Sequence, residues 1–127
     1  MVAVTPIRLL VVDDHRAVRE SIARLIAQCD DMEVSGELFD GSGVLEKVQS
    51  ETFDVVLLDI SMPRKNGFEV LRELRSELPG LPVIVLSIHS PSEYGAHALA
   101  LGASGYVCKS RAADELIAEV RRVAGRP

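Results

Sequence analysis

Residues 53–67 read "FDVVLLDISMPRKNG". Val55, Val56, Leu57 and Leu58 form a short, β-branched-rich apolar run with no polar alternation, the pattern of a strand covered on both faces. The run ends on a carboxylate, Asp59, and a Met-Pro turn follows three residues later. Two similar runs flank it. "IRLLVVD" (7–13) and "LPVIVLS" (81–87) are also continuously apolar and also end on a polar residue. "MEVSGEL" and "SGYVCKS" are broken by glycine and polar residues, as suits strands at a sheet edge.

Helical patterns fill the intervals. Val18, Ile22, Leu25, Ile26 and Cys29 fall at spacings of three and four, which predicts an amphipathic helix. Val44, Leu45 and Val48 give a short helix after "DGSG", and Phe68, Val70, Leu71 and Leu74 give another, closed by Pro79-Gly80. "SPSEYGAHALALGA" predicts a helix starting near Ser90 or Ser92 and stopping at Gly102, with Gly95 weakening it from within. A last helix starts near Arg111 and buries Leu116, Ile117, Val120 and Val123. This βα alternation predicts an α/β fold, a flavodoxin-like (βα)5 three-layer sandwich. With the polar-interrupted strands outside, its parallel five-stranded sheet has the order 2-1-3-4-5.

Totals agree with one domain over 1–127, with a core at about 7–123. The chain has 127 residues, 47% of them hydrophobic and 26% charged, and a net charge of -5 from fourteen Lys and Arg against nineteen Asp and Glu. That balance argues against direct nucleic-acid contact by this domain. "MVAVTPIRLLVVDD" lacks a basic segment and is broken by Pro6, so it is not a signal peptide, and no apolar run is long enough for a membrane span. Cys29 and Cys108 fit no zinc or CxxC spacing and read as small buried hydrophobes of a cytoplasmic protein.

In a parallel sheet all strands end on one rim. That rim collects Asp13 and Asp14 after strand one, Asp59 after strand three, Ser87 after strand four and Lys109 after strand five. The second acidic pair, Asp30 and Asp31, lies on the opposite rim with Asp54, where a solvated turn accounts for them. Three carboxylates at close quarters repel unless a cation holds them, and an all-oxygen set suits Mg2+, with Mn2+ as the alternative ion. With Asp13 and Asp14 on the metal, Asp59 is free as a nucleophile toward a phosphoryl group, Lys109 neutralises charge, and Ser87 hydrogen-bonds the product. His15 follows the pair, but imidazole is a poor match to Mg2+. Arg64 and Lys65 are read equally as guides for an anionic donor or as solvated loop residues.

The markers "VVDDH", "LLDISMPRKNG", "VLS" and "GYVCK" resemble those of the receiver (CheY-like) domain of two-component response regulators, in order and spacing, over residues 7–123. "DDHRAVRESI" and "ALALGASGYVCKS" are most similar to the NarL/FixJ subfamily, whose receivers usually precede a helix-turn-helix domain that this chain does not contain. The resemblance implies that Asp59 accepts a phosphoryl group from a sensor histidine kinase or phosphotransfer protein. It implies that Asp13, Asp14, Asp59 and the Ser61 backbone carbonyl bind the metal. Ser87 and Tyr106 would be the switch pair, altering the face of the fourth helix, fifth strand and fifth helix to control an output partner or DNA-binding domain, with homodimerisation on phosphorylation. Without the resemblance, Tyr106 reads as a half-buried edge-strand aromatic. Two departures stand out. Ser110 follows the rim lysine where many receivers have a cis proline, which leaves the isomer of the Lys109–Ser110 bond open, since a non-proline cis bond costs ~2.5–4 kcal/mol. Ile88 beside Ser87 either narrows access to Asp59 or simply packs. The competing functions are a receiver-like interaction module that is never phosphorylated, and an aspartyl-phosphate phosphatase. The second would need a general acid two residues beyond Asp59, where Ser61 stands.

Overall fold

The computed structural model describes residues 5–125. The first four residues, part of the segment judged not to be a signal peptide, and the last two lie outside the described residues. Five strands alternate with five helices: β1 (Ile7–Val12), α1 (Arg16–Ile26), β2 (Met32–Leu38), α2 (Val44–Ser50), β3 (Val55–Asp59), α3 (Gly67–Glu77), β4 (Val83–Ser87), α4 (Pro91–Ala100), β5 (Gly105–Cys108) and α5 (Ala112–Val123). All pairings are parallel and the sheet order is β2-β1-β3-β4-β5.

Strand periodicity divides the interior into two cores, because successive side chains point to opposite faces. Leu10, Val12, Val56, Leu58, Val83 and Val85 pack under α2, α3 and α4 through Val44, Val70, Leu71, Leu74 and Ala98. Leu9, Val11, Val55, Leu57, Ile84, Leu86 and Val107 pack under α1 and α5 through Ile22, Ile26, Leu116 and Val120. Every residue of β3 and β4 is buried. The edge strand β2 is mostly half-exposed, and its register with β1 slips between Leu9 and Leu10.

The departures from expectation are local. α1 stops at Ile26, so Cys29 sits in the following turn and is half-buried rather than fully buried. Asp31 is not merely solvated: Arg121 of α5 donates to it from Nε at 2.8 Å and from Nη2 at 3.1 Å. Asp54 accepts the Arg8 amide at 2.8 Å, tying the start of β3 to β1. β4 begins at Val83, with Leu81 and Pro82 still in the loop. The Lys109–Ser110 bond is trans, as are all peptide bonds among the described residues.

Candidate functional site

The rim residues come together as strand alternation dictates. One residue past the strand ends, Asp13 and Lys109 keep the parity of Val11 and Val107, and Asp59 keeps that of Leu57, so all three turn toward the α1/α5 face. Lys109 Nζ accordingly lies 2.7 Å from Asp13 Oδ2 and 3.3 Å from Asp59 Oδ1. Ser87 keeps the parity of Val83 and Val85 and belongs to the opposite face with Tyr106, which packs against the α2/α3/α4 core. Asp13, Asp59 and Ser87 are the buried polar residues among those described, at 0%, 1% and 0% exposure.

Each acid is held differently. Asp13 Oδ1 accepts the His15 amide at 2.8 Å, and the Arg19 guanidinium donates to the Asp13 carbonyl at 2.7 Å. Asp59 Oδ1 accepts the Ser61 amide at 3.2 Å, whereas Asp59 Oδ2 is buried without a hydrogen-bond partner. Burial raises the Asp59 carboxyl above its ordinary value, and the nearby Asp13 charge raises it further, against opposition from the Ser61 amide and Lys109. Burial alone would lower Lys109. Its hydrogen bond to Asp13 and the Asp59 and Asp13 charges outweigh that and hold the ammonium above its ordinary value.

One ligand atom from each of Asp13, Asp14, His15 and Asp59 lies within 4.8 Å of the others. Together with the partnerless Asp59 oxygen, this set fits a divalent cation: the acids need a counter-charge, and Lys109 supplies only one.

Beside this cluster runs a chain of contacts through a single residue. The His89 amide donates to Ser87 Oγ at 3.0 Å, and the His89 carbonyl accepts the Tyr106 hydroxyl at 2.9 Å. The His89 ring meets Tyr94 edge-on, with centroids 4.7 Å apart. Burial raises the Tyr106 phenol above its ordinary value, while hydrogen bonding with Ser87 pulls the other way. Tyr106 is thus anchored at its hydroxyl, which the simple edge-strand reading does not require.

Arg64 pairs with Asp40 at 3.2 Å and Lys65 with Glu73 at 2.8 Å, so both loop cations have partners. Ile88 is 69% exposed, so it does not pack. Arg19 went unnoticed in the sequence. Its only signal is its position one helical turn beyond His15, and its second partner, Glu37 at 3.3 Å, comes from β2.

A family model for the response regulator receiver domain matches residues 9–121. The chain is 42% identical over 118 residues to the transcriptional regulatory protein DegU of Brevibacillus brevis, covering 93% of this chain and 50% of that protein. A LuxR-family two-component response regulator from Aurantimonas sp. SI85-9A1 superposes with a TM-score of 0.88 at 32% identity, over 96% of this chain and 88% of that one. The response regulator domain of Thermotoga maritima CheB gives a TM-score of 0.86 at 29% identity, over 97% and 99%. The chain spans about half the length of the curated relatives it matches. No helix among the described residues is long and apolar enough to cross a membrane.

Proposed function

The chain belongs to the response regulator receiver domain family, and from that premise we propose that it is a switch thrown by phosphorylation of Asp59. One observation carries the reading: Asp59 is 1% exposed, its Oδ1 is fixed by the Ser61 amide and Lys109, and its Oδ2 has no partner. The carboxylate is therefore oriented, with one oxygen left to attack.

In the proposed reaction Asp59 Oδ2 bonds to phosphorus while the P–N bond of a phosphohistidine breaks, and its electron pair returns to the donor imidazole. The donor would be a sensor histidine kinase or phosphotransfer protein. Lys109, which lies between Asp13 and Asp59, would meet the incoming phosphoryl oxygens. Asp13, Asp14, Asp59 and the Ser61 carbonyl would hold Mg2+, which when bound offsets charge on those oxygens.

The readout would run through His89. Drawing Ser87 toward a phosphoryl group on Asp59 pulls on the His89 amide, and the His89 carbonyl holds the Tyr106 hydroxyl. Tyr106 is the β5 residue of the face formed by α4, β5 and α5. Shifting such a face from about 1:99 to 99:1 requires roughly 5.5 kcal/mol of preference, so a smaller shift sharpened by homodimerisation is the more economical design. Residues 1–127 would act as one cytoplasmic receiver unit that controls an output partner or DNA-binding domain. DNA contact would fall to that partner, given the net charge of -5.

The test is intact-mass analysis after incubation with Mg2+ and a small phosphodonor or candidate kinase, with Asp59→Asn as control. A single phosphoryl adduct confined to the wild type is the expected result. No adduct from any donor would instead leave a receiver-like module that is never phosphorylated, and rapid turnover of many phosphate monoesters would indicate a phosphatase.

A further inference from the structure

The acidic pocket holds one donor that an oxygen-seeking ion does not need. His15 precedes α1 with an extended backbone (φ -98, ψ 113), and its ring lies against the acids. Its Nδ1 is 3.1 Å from Asp14 Oδ1 and 3.4 Å from Asp13 Oδ1. Asp59 Oδ2, in the same pocket, is buried with no hydrogen-bond partner.

These separations, which suit ion pairs, also suit joint coordination of one ion. Two ligands at right angles around an ion with bonds of roughly 2.0–2.1 Å stand about 2.9 Å apart, and opposite ligands about 4.2 Å. The 3.1 Å His15–Asp14 distance sits near the first value, and the whole donor set, spread over 4.8 Å, needs only a small side-chain closure to reach the second. His15 is 65% exposed, so its ring is free to make that adjustment.

We propose that His15 Nδ1 is a fourth ligand of the pocket and biases it toward first-row transition dications over Mg2+. The proposal rests on the reading of Asp13, Asp14 and Asp59 as a cation site. Its chemical basis is that Mg2+ keeps to oxygen and water, whereas imidazole strengthens binding of Mn2+ and, more strongly, Co2+. A single nitrogen in an otherwise all-oxygen set thus lets the pocket tell the two kinds of ion apart.

The experiment measures Co2+ and Mg2+ affinity of the wild type, His15→Ala and Asp59→Asn by equilibrium dialysis at pH 8, since ligation needs neutral imidazole. Pulsed electron paramagnetic resonance of bound Mn2+ runs in parallel. Loss of His15 should weaken Co2+ by about tenfold or more, the order expected when a histidine ligand's support is removed, and change Mg2+ by less than about twofold. Nitrogen modulation of the Mn2+ signal should be present in the wild type and absent in His15→Ala. Asp59→Asn should weaken both ions. If His15→Ala leaves the Co2+ to Mg2+ ratio unchanged while Asp59→Asn still weakens both, His15 is not a ligand although the carboxylate site stands. If Asp59→Asn leaves both affinities untouched, the ions bind elsewhere and the cation-site reading falls together with the proposal.

Discussion

Asp59 carries two penalties at once, loss of water and the neighbouring charge of Asp13, and one cation partner, Lys109. The folded chain therefore holds the Asp59 proton to higher pH than the unfolded chain, whose carboxyl titrates near the ordinary 3.8. The sign follows from linkage: the protonated form favours folding, and that contribution is lost as pH rises through the folded value. Asp59→Asn removes the charge. In metal-free buffer it should match the wild type in urea unfolding near pH 4 and exceed it by about 1 kcal/mol at pH 7, the scale of a buried unsatisfied polar atom. A stability gap that stays constant across this range would mean that the Asp59 charge is not strained.

At the scale of elements, the site depends on how closely α3 approaches the end of β3. Gly67 opens α3, and its amide donates to the Ile60 carbonyl at 3.2 Å. A Cβ there would overlap the Asp59 carbonyl oxygen and lie 2.5 Å from Ile60 Cα, both backbone atoms with nowhere to retreat. Gly67→Ala should cost about 1–3 kcal/mol as an overpacking change and slow phosphoryl-adduct formation by displacing Asp59. Gly80→Ala, where a Cβ meets nothing within 4 Å, is the matched control and should stay within about 0.5 kcal/mol. Equal effects of the two substitutions in urea unfolding would show that close approach is not what Gly67 provides. Asn66 helps to set this junction, since its side chain accepts the Glu69 amide at 3.1 Å and so starts α3 immediately after the loop.

Over the whole described molecule, the two cores share one sheet, so helices on opposite faces are coupled through the strands between them. Leu116 of α5 is fully buried in the core under α1 and α5, beside the strands that carry Asp13, Asp59 and Lys109. Leu116→Ala should destabilise by about 2–5 kcal/mol, a large share of a typical domain's stability, with the urea midpoint falling and the slope unchanged. A loss well below 1 kcal/mol would contradict the packing described for α5. The Arg121–Asp31 pair adds a polar link from the end of α5 to the loop before β2. It joins residues 90 positions apart, and local pattern carries no information about such a pairing.

Strand order, the two-sided core and the gathering of Asp13, Asp14, Asp59 and Lys109 were legible in the linear chain. Apolar runs of fixed period must bury their faces, and a parallel sheet then sends every strand end to the same rim. Helix ends, the partners of Arg64, Lys65 and Asp31, and the anchoring of Tyr106 through His89 were decided only by tertiary structure. Periodicity reports which way a side chain faces, whereas hydrogen bonds and ion pairs depend on ångström-scale distances between segments far apart in the chain.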